Sequence, residues 1–234
     1  MVNDSVIFLN MLKPFPQDTP HVERLRITEI FRSLQGEAKS VGWPTVFVRL
    51  TGCPLRCVYC DTAYAFNGGD WMNMDSVINR VEEFNTRHVT VTGGEPLAQK
   101  ACLLLLTQLC DKGHVVSIET SGALDIGQID PRVSRVMDMK TPASGEADKN
   151  RLENIPLLTQ HDQVKFVISD HHDFNWACLQ IRDYQLTERC EVLMSPAYEQ
   201  CRASDLAEWL LGAGLEVRLQ MQLHKLLWGE EPGR

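Results

Sequence analysis

The chain reads as an α/β protein built as a partial, open βα barrel with parallel strands. Three observations predict this. Apolar, β-branched runs alternate with stretches of helical periodicity along most of the 234 residues, the pattern of repeated strand–helix units. Such units join parallel strands by right-handed crossovers, and roughly six core units can be counted, short of the eight of a full barrel. The unusual polar motifs follow the strands, and beyond the strand ends is where such folds carry their sites.

Residues 1–24 read as an N-terminal extension in which Pro14, Pro16 and Pro20 break any helix. Residues 25–234 read as one domain. Leu25–Phe31 is a first strand and leads into Ser33-Leu34-Gln35-Gly36-Glu37. Thr45–Leu50, β-branched and aromatic, is a buried strand. Asp75–Thr86 places Val77, Ile78, Val81 and Phe84 at helical spacing. His88–Thr92 is a strand that turns sharply at Gly93-Gly94-Glu95-Pro96. Leu97–Cys110 is a helix ended by Gly113. Strands follow at Val115–Glu119, Val133–Met139 and Gln163–Ser169, then a helix at Phe174–Arg182. A strand at Glu191–Ser195, a helix at Ala203–Leu211 and a strand at Leu215–Gln220 complete the series. His171 and His172 read as a solvated loop without a third ligand spaced to join them.

Composition narrows the function classes. A formal net charge of −8 argues against a nonspecific nucleic-acid or membrane partner, either of which wants a basic face. No run of 18 apolar residues is present, and Val6–Leu12 makes a poor signal peptide. The eight cysteines are too scattered for a disulfide scaffold, and Cys102 and Cys110 fall in a leucine-rich helix as core thiols. The expected setting is cytoplasmic.

The chemistry centres on Thr51–Thr62, TGCPLRCVYCDT. Its Cys53, Cys57 and Cys60 form C-x3-C-x2-C with no fourth cysteine nearby. Thiolates favour zinc and iron–sulfur clusters, and a closed site wants four protein ligands. Three thiolates on a 4Fe–4S cubane leave one iron open to a small molecule. A zinc site or free thiols remain alternatives on spacing alone.

With Tyr59 before the last cysteine, this loop resembles the cluster motif of the radical S-adenosylmethionine (SAM) enzymes. The resemblance implies that SAM chelates the open iron and is cleaved to a 5′-deoxyadenosyl radical, in a partial βα barrel of the radical SAM type. Gly93-Gly94-Glu95 resembles that superfamily's contact with the methionine moiety, although two glycines also suit a plain turn. Glu119-Thr120-Ser121-Gly122 corresponds to a region near the SAM ribose.

A narrower resemblance rests on the S-x-Q-G-E segment, the F-V-R-L run ending at Leu50 and the C-D-T that closes the cysteine loop. Together they are similar to the 7-carboxy-7-deazaguanine synthases of 7-deazapurine (queuosine) biosynthesis, over residues from about Ile27 to Lys225. These lyases convert 6-carboxytetrahydropterin to 7-carboxy-7-deazaguanine with loss of ammonia. The resemblance implies a Mg2+ ligand at Thr62, whose plainer role is to cap its turn, with Asp61 an alternative ligand. It assigns SAM contacts to Tyr59, Cys60, Asp61, Gly94, Asp138, Met139 and Lys140. Substrate contacts fall on Leu34, Gln35, Gly36, Glu37, Arg49, Thr92 and Pro232. Arg49 suits a carboxylate held by two parallel hydrogen bonds, or is a strand arginine pairing with a surface acid. A flavodoxin- or ferredoxin-like reductant and a homodimer are also implied. A glycyl-radical activating enzyme shares the cluster motif but needs no pterin pocket, and a zinc-stabilised binding domain needs neither.

Overall fold

The computed structural model describes residues 23–229, 231 and 233. Most of the expected extension, 1–24, and Pro232 therefore lie outside the described residues. In chain order the elements are β1 (Arg24–Leu34), β2 (Pro44–Leu50), β3 (Asp70–Asn73), α1 (Met74–Glu82), β4 (His88–Gly93), α2 (Ala101–Asp111), β5 (Val115–Thr120), β6 (Ser134–Asp138), β7 (Gln163–Ile168), α3 (His171–Asp183), α4 (Leu186–Arg189), β8 (Glu191–Pro196), α5 (Ala203–Ala213), β9 (Arg218–Leu219) and α6 (Leu223–Trp228). The strands form one sheet in the order β3-β1-β2-β4-β5-β6-β7-β8-β9. Every neighbouring pair from β2 to β9 is parallel, so the expected open α/β arrangement is present.

The edge departs from the expected series. β1 runs antiparallel to both β2 and β3, so the loop between Leu34 and Pro44 stands at the N-terminal ends of the parallel strands. The Ser33–Glu37 motif therefore enters the barrel from the side opposite the other polar motifs. Two crossovers also lack an α-helix. β5 reaches β6 through an irregular loop, and β6 reaches β7 through short 3-10 turns at Pro142–Ser144, Ala147–Lys149 and Leu152–Leu157. Prolines and glycines interrupt both stretches, and buried Asn154 braces them by donating to the carbonyls of Gly122 and Leu124 at 3.0 and 2.8 Å.

Strand periodicity divides the sheet into two faces. Val46, Val48, Leu50, Val89, Val91, Val116, Ile118, Val164, Phe166 and Ile168 join one apolar core. α1 adds Val77, Ile78 and Val81 to it, α2 adds Leu105, Leu106 and Leu109, and α3 adds Phe174 and Ile181. The alternate residues Phe47, Arg49, Thr92, Glu119, Val136, Asp138, Lys165 and Val167 face a cavity instead. The strands are thus apolar toward the helices and largely polar toward the barrel interior.

His171 and His172 belong to a helix and not to a loop. They begin α3, which Asp170 caps by accepting the Asp173 amide at 2.8 Å. The pair gains no common third ligand among the described residues: His172, without His171, has ligand atoms of Asp170 and Asp173 within 4.8 Å. The Asp173 carboxylate is already committed to the Thr141 hydroxyl and to the amides of Ala143 and Ser169, all within 3.1 Å. It braces the loop after β6.

Candidate active site

A cavity of about 530 Å³ fills the barrel interior. Its upper wall is the cysteine loop, which directly follows β2. Cys53, Cys57 and Cys60 are unpaired and partly exposed, and all three line the cavity. Burial pushes all three thiols up, Cys57 to about 11, against the favourable charge of Lys140. Bound metal reverses that, because a coordinated thiol gives up its proton. Among the described residues the cysteine sulfurs do not form a group closed within 4.8 Å.

The two glycines after β4 let that loop pack. A Cβ on Gly94 would stand 2.3 Å from the Gly52 carbonyl oxygen and 2.7 Å from the Cys53 Cβ. The Gly94 amide donates to Leu50 O at 3.1 Å and the Glu95 amide to Gly52 O at 2.8 Å. Glu95 turns away from the cavity and is fully buried. Its carboxylate accepts from the Thr120 hydroxyl and from the amide and hydroxyl of Ser121, at 2.6–2.9 Å. The cysteine loop, the β4 turn and the β5 end are thereby locked together.

The floor is the β1–β2 loop. Gln35 is 2% exposed. Its amide donates to the Thr90 hydroxyl at 3.0 Å and to Glu119 at 3.4 Å, and its Oε1 accepts the Glu37 amide at 3.1 Å. Gln35 therefore fixes the loop. Glu37 reaches β7, where Lys165 Nζ lies 2.5 Å from its carboxylate, and Gln222 donates to its other oxygen at 2.8 Å. Burial opposes the charged form of Glu37, but Lys165 and the two hydrogen bonds hold the carboxyl below its usual range. For Glu119, burial and the neighbouring Glu37 charge act together and raise it. The Thr92 hydroxyl donates to Glu119 at 3.0 Å.

On the β2 side, Glu29 holds Arg49 Nε at 2.7 Å and also accepts the Tyr64 hydroxyl at 2.8 Å. The guanidinium lies 5.9 Å from the Phe31 ring and 5.8 Å from that of Tyr64. So Arg49 has an acid partner, Glu29 of β1, yet it also lines the cavity, and its terminal nitrogens make no hydrogen bond among the described residues. On the far wall Asp138 pairs with Lys140 at 3.0 Å and Lys165 at 3.6 Å. Burial opposes the Asp138 charge, but the two lysines hold its carboxyl below the usual range.

α6 closes the side. Its His224 ring packs so near Gly36 that a Cβ there would meet Nδ1 at 2.1 Å. The Leu223 amide donates to Gly36 O at 3.0 Å, and Lys225 pairs with Asp61 at 3.1 Å. Burial works against the Asp61 charge, but Lys225 and the Thr62 hydroxyl, donating at 2.8 Å, bring the carboxyl down to about 2.

The structure thus brings Leu34, Gln35, Gly36, Glu37, Arg49, Cys53, Cys57, Tyr59, Cys60, Asp61, Thr62, Thr92, Gly94, Asp138 and Lys140 around one cavity. Met139 is the exception. It is 2% exposed, and the strand alternation turns it into the outer core. Lys165, Gln222, His224 and Lys225 join the cavity without having been marked in the sequence.

The sequence model of the radical SAM superfamily matches residues 47–137, which span the cysteine loop and the Gly93–Glu95 turn. A 7-carboxy-7-deazaguanine synthase from Chlorobaculum tepidum is 41% identical over 210 residues, covering 88% of this chain and 96% of that protein. The chain belongs to the 7-carboxy-7-deazaguanine synthase family. A second member, from Koribacter versatilis, is 41% identical over 222 residues, 88% of this chain and 98% of its own. The crystal structure of QueE from Escherichia coli superimposes with a TM-score of 0.72 over 86% of this chain and 95% of that one. At 22% identity that likeness speaks for the fold alone. As a family member the chain is a radical SAM enzyme, with a 4Fe–4S cluster and SAM as cofactors, and the thiol triad around an open cavity fits them. No helix among the described residues is long and apolar enough to cross a membrane.

Proposed function

We propose that this cavity converts 6-carboxy-5,6,7,8-tetrahydropterin to 7-carboxy-7-deazaguanine with loss of ammonia. The observation that carries the proposal is the meeting of the cysteine triad and the Gln35–Glu37 floor in one cavity with Arg49 between them. Cys53, Cys57 and Cys60 hold the cluster. Tyr59–Asp61, Gly94, Asp138 and Lys140 surround SAM. When bound, the cluster supplies one electron to SAM, and SAM supplies the means of hydrogen-atom abstraction.

The protein's own part is positioning. Arg49, anchored at Nε by Glu29, presents its terminal nitrogens to the substrate carboxylate as a two-pronged donor. Glu37, kept ionised by Lys165, accepts from the N–H edge of the pterin. Gln35 acts through the loop that it fixes, and Thr92 and Glu119 offer a hydroxyl and a carboxyl to the ring. Thr62, a hard oxygen donor beside Asp61, would hold Mg2+, which would orient the substrate. α6 and the floor exclude water. A flavodoxin- or ferredoxin-like protein is the reductant, the enzyme works in the cytoplasm, and the functional unit is a homodimer.

The test is one anaerobic assay. Reconstituted enzyme with SAM, dithionite, Mg2+ and 6-carboxytetrahydropterin should yield 7-carboxy-7-deazaguanine by mass, and Cys57→Ala should yield none. SAM cleavage without that product would leave the radical chemistry standing and remove the pterin.

A further inference from the structure

Between the floor and the far wall runs a chain of alternating charges that the reaction as proposed leaves unexplained. Glu37 meets Lys165 at 2.5 Å, Lys165 meets Asp138 at 3.6 Å, and Asp138 meets Lys140 at 3.0 Å. All four side chains are at most 18% exposed. Lys165 is the shared member. One ammonium stands between two carboxylates, much nearer the first.

We infer that Lys165 couples the substrate subsite to the SAM subsite as a positioning residue. This rests on the proposed assignment of Glu37 to substrate and of Lys140 to SAM. A substrate N–H edge that donates to Glu37 competes with Lys165 for that carboxylate. The ammonium then moves toward Asp138, its second partner. Asp138 in turn relaxes its hold on Lys140, and the Lys140 ammonium becomes available to the oxygen atoms of SAM. Buried and largely shielded from solvent, such charges are weakly screened, so a change at one end is felt at the other. Linkage requires the coupling to be reciprocal, with each ligand tightening the other by the same factor.

The experiment uses the cluster-loaded enzyme without reductant, so that both ligands bind and no turnover occurs. SAM affinity is measured by anaerobic calorimetry with and without saturating 6-carboxytetrahydropterin. The wild-type protein should bind SAM at least about fivefold more tightly with the pterin present. Lys165→Met should bind SAM with a ratio near one. Asp138→Asn, nearly isosteric, cuts the chain at its other link and should also lose the ratio. Far-UV circular dichroism and iron content confirm that each variant is folded and loaded. A ratio near one in the wild type, or an undiminished ratio in either folded variant, overturns the inference while the substrate assignment stands. If the wild-type protein binds SAM but no pterin, the substrate assignment falls and the inference with it.

Discussion

Replacing Gly94 by alanine tests how the β4 turn supports the cysteine loop. The added Cβ would stand 2.3 Å from Gly52 O, 2.6 Å from Gly52 C and 2.7 Å from Cys53 Cβ. That is about 1 Å inside the 3.5–4 Å optimum for packed carbon atoms. The obstructing group is backbone and cannot rotate aside. Gly52 O is pinned by the Glu95 amide at 2.8 Å, and Gly52 N by Ala65 O at the same distance. Relief requires the loop to retreat. Overpacking of this kind costs about 1–3 kcal/mol, and the strained Glu95–Gly52 hydrogen bond about 1 more, for a total of about 2–4 kcal/mol. For a domain of this size that lowers Tm by about 4–16 °C. The retreat also moves Cys53, so the variant should bind less iron and show a weaker cluster absorption per chain after reconstitution. Thermal unfolding of the apoprotein and iron analysis read the two effects separately. A Gly94→Ala protein with unchanged Tm and a full cluster would refute the packing argument.

Other perturbations have equally definite outcomes. Arg49→Ala removes two charge-assisted hydrogen bonds to the substrate carboxylate, about 1.5–3 kcal/mol each. It should lower kcat/KM by roughly a hundredfold or more while leaving uncoupled SAM cleavage intact, and product formation at the wild-type rate would exclude Arg49 from the site. Cys57→Ala should lose the cluster, whereas Cys102→Ala, which alters a wholly buried thiol on α2, should retain about four irons per chain by metal analysis. Glu119 carries a raised carboxyl, so its contribution to stability is fully present below its unfolded value of about 4.5 and is lost as pH rises through the folded value. Glu119→Gln should therefore gain Tm over the wild type as pH goes from 4.5 to 8, and a gap that is constant across that range would contradict the placement of Glu119 beside Glu37.

Much of the site was legible because its residues sit in short, chemically distinctive runs. The three cysteines, the Gly93–Glu95 turn and the Gln35–Glu37 segment each declare themselves within a few positions. Lys165 did not, although the strand around it carried a usable signal. In Gln163-Val164-Lys165-Phe166-Val167-Ile168 the alternate residues Val164, Phe166 and Ile168 form the outer face, which leaves Lys165 pointing inward. The same alternation separates Asp138 and Lys140 from Met139. α6 was invisible because its six residues are too few for a periodic pattern, and its contacts are made to Gly36 and Asp61 far back in the chain. The direction of β1 was hidden for a related reason. The loop from Gln35 to Trp43 lacks the two-residue turn that marks a hairpin in sequence. The crossovers after β5 and β6, where the sequence offers no helical run between its strands, carry no α-helix.

The antiparallel β1 has a consequence for how such an enzyme can change. Because β1 returns the chain to the opposite mouth of the barrel, the machinery that generates the radical and the surface that selects the substrate are carried by loops at opposite ends of the strands. They meet through side chains in the interior and through α6, which holds Gly36 of the floor and Asp61 of the cysteine loop. Lengthening or rebuilding the segment between Leu34 and Pro44 alters the shape and charge of the floor without disturbing the hydrogen bonds that seat the cysteine loop on Gly94 and Glu95. The fold thus separates an engine at one mouth from a mould at the other, and the floor of the mould can be recast by rebuilding one hairpin.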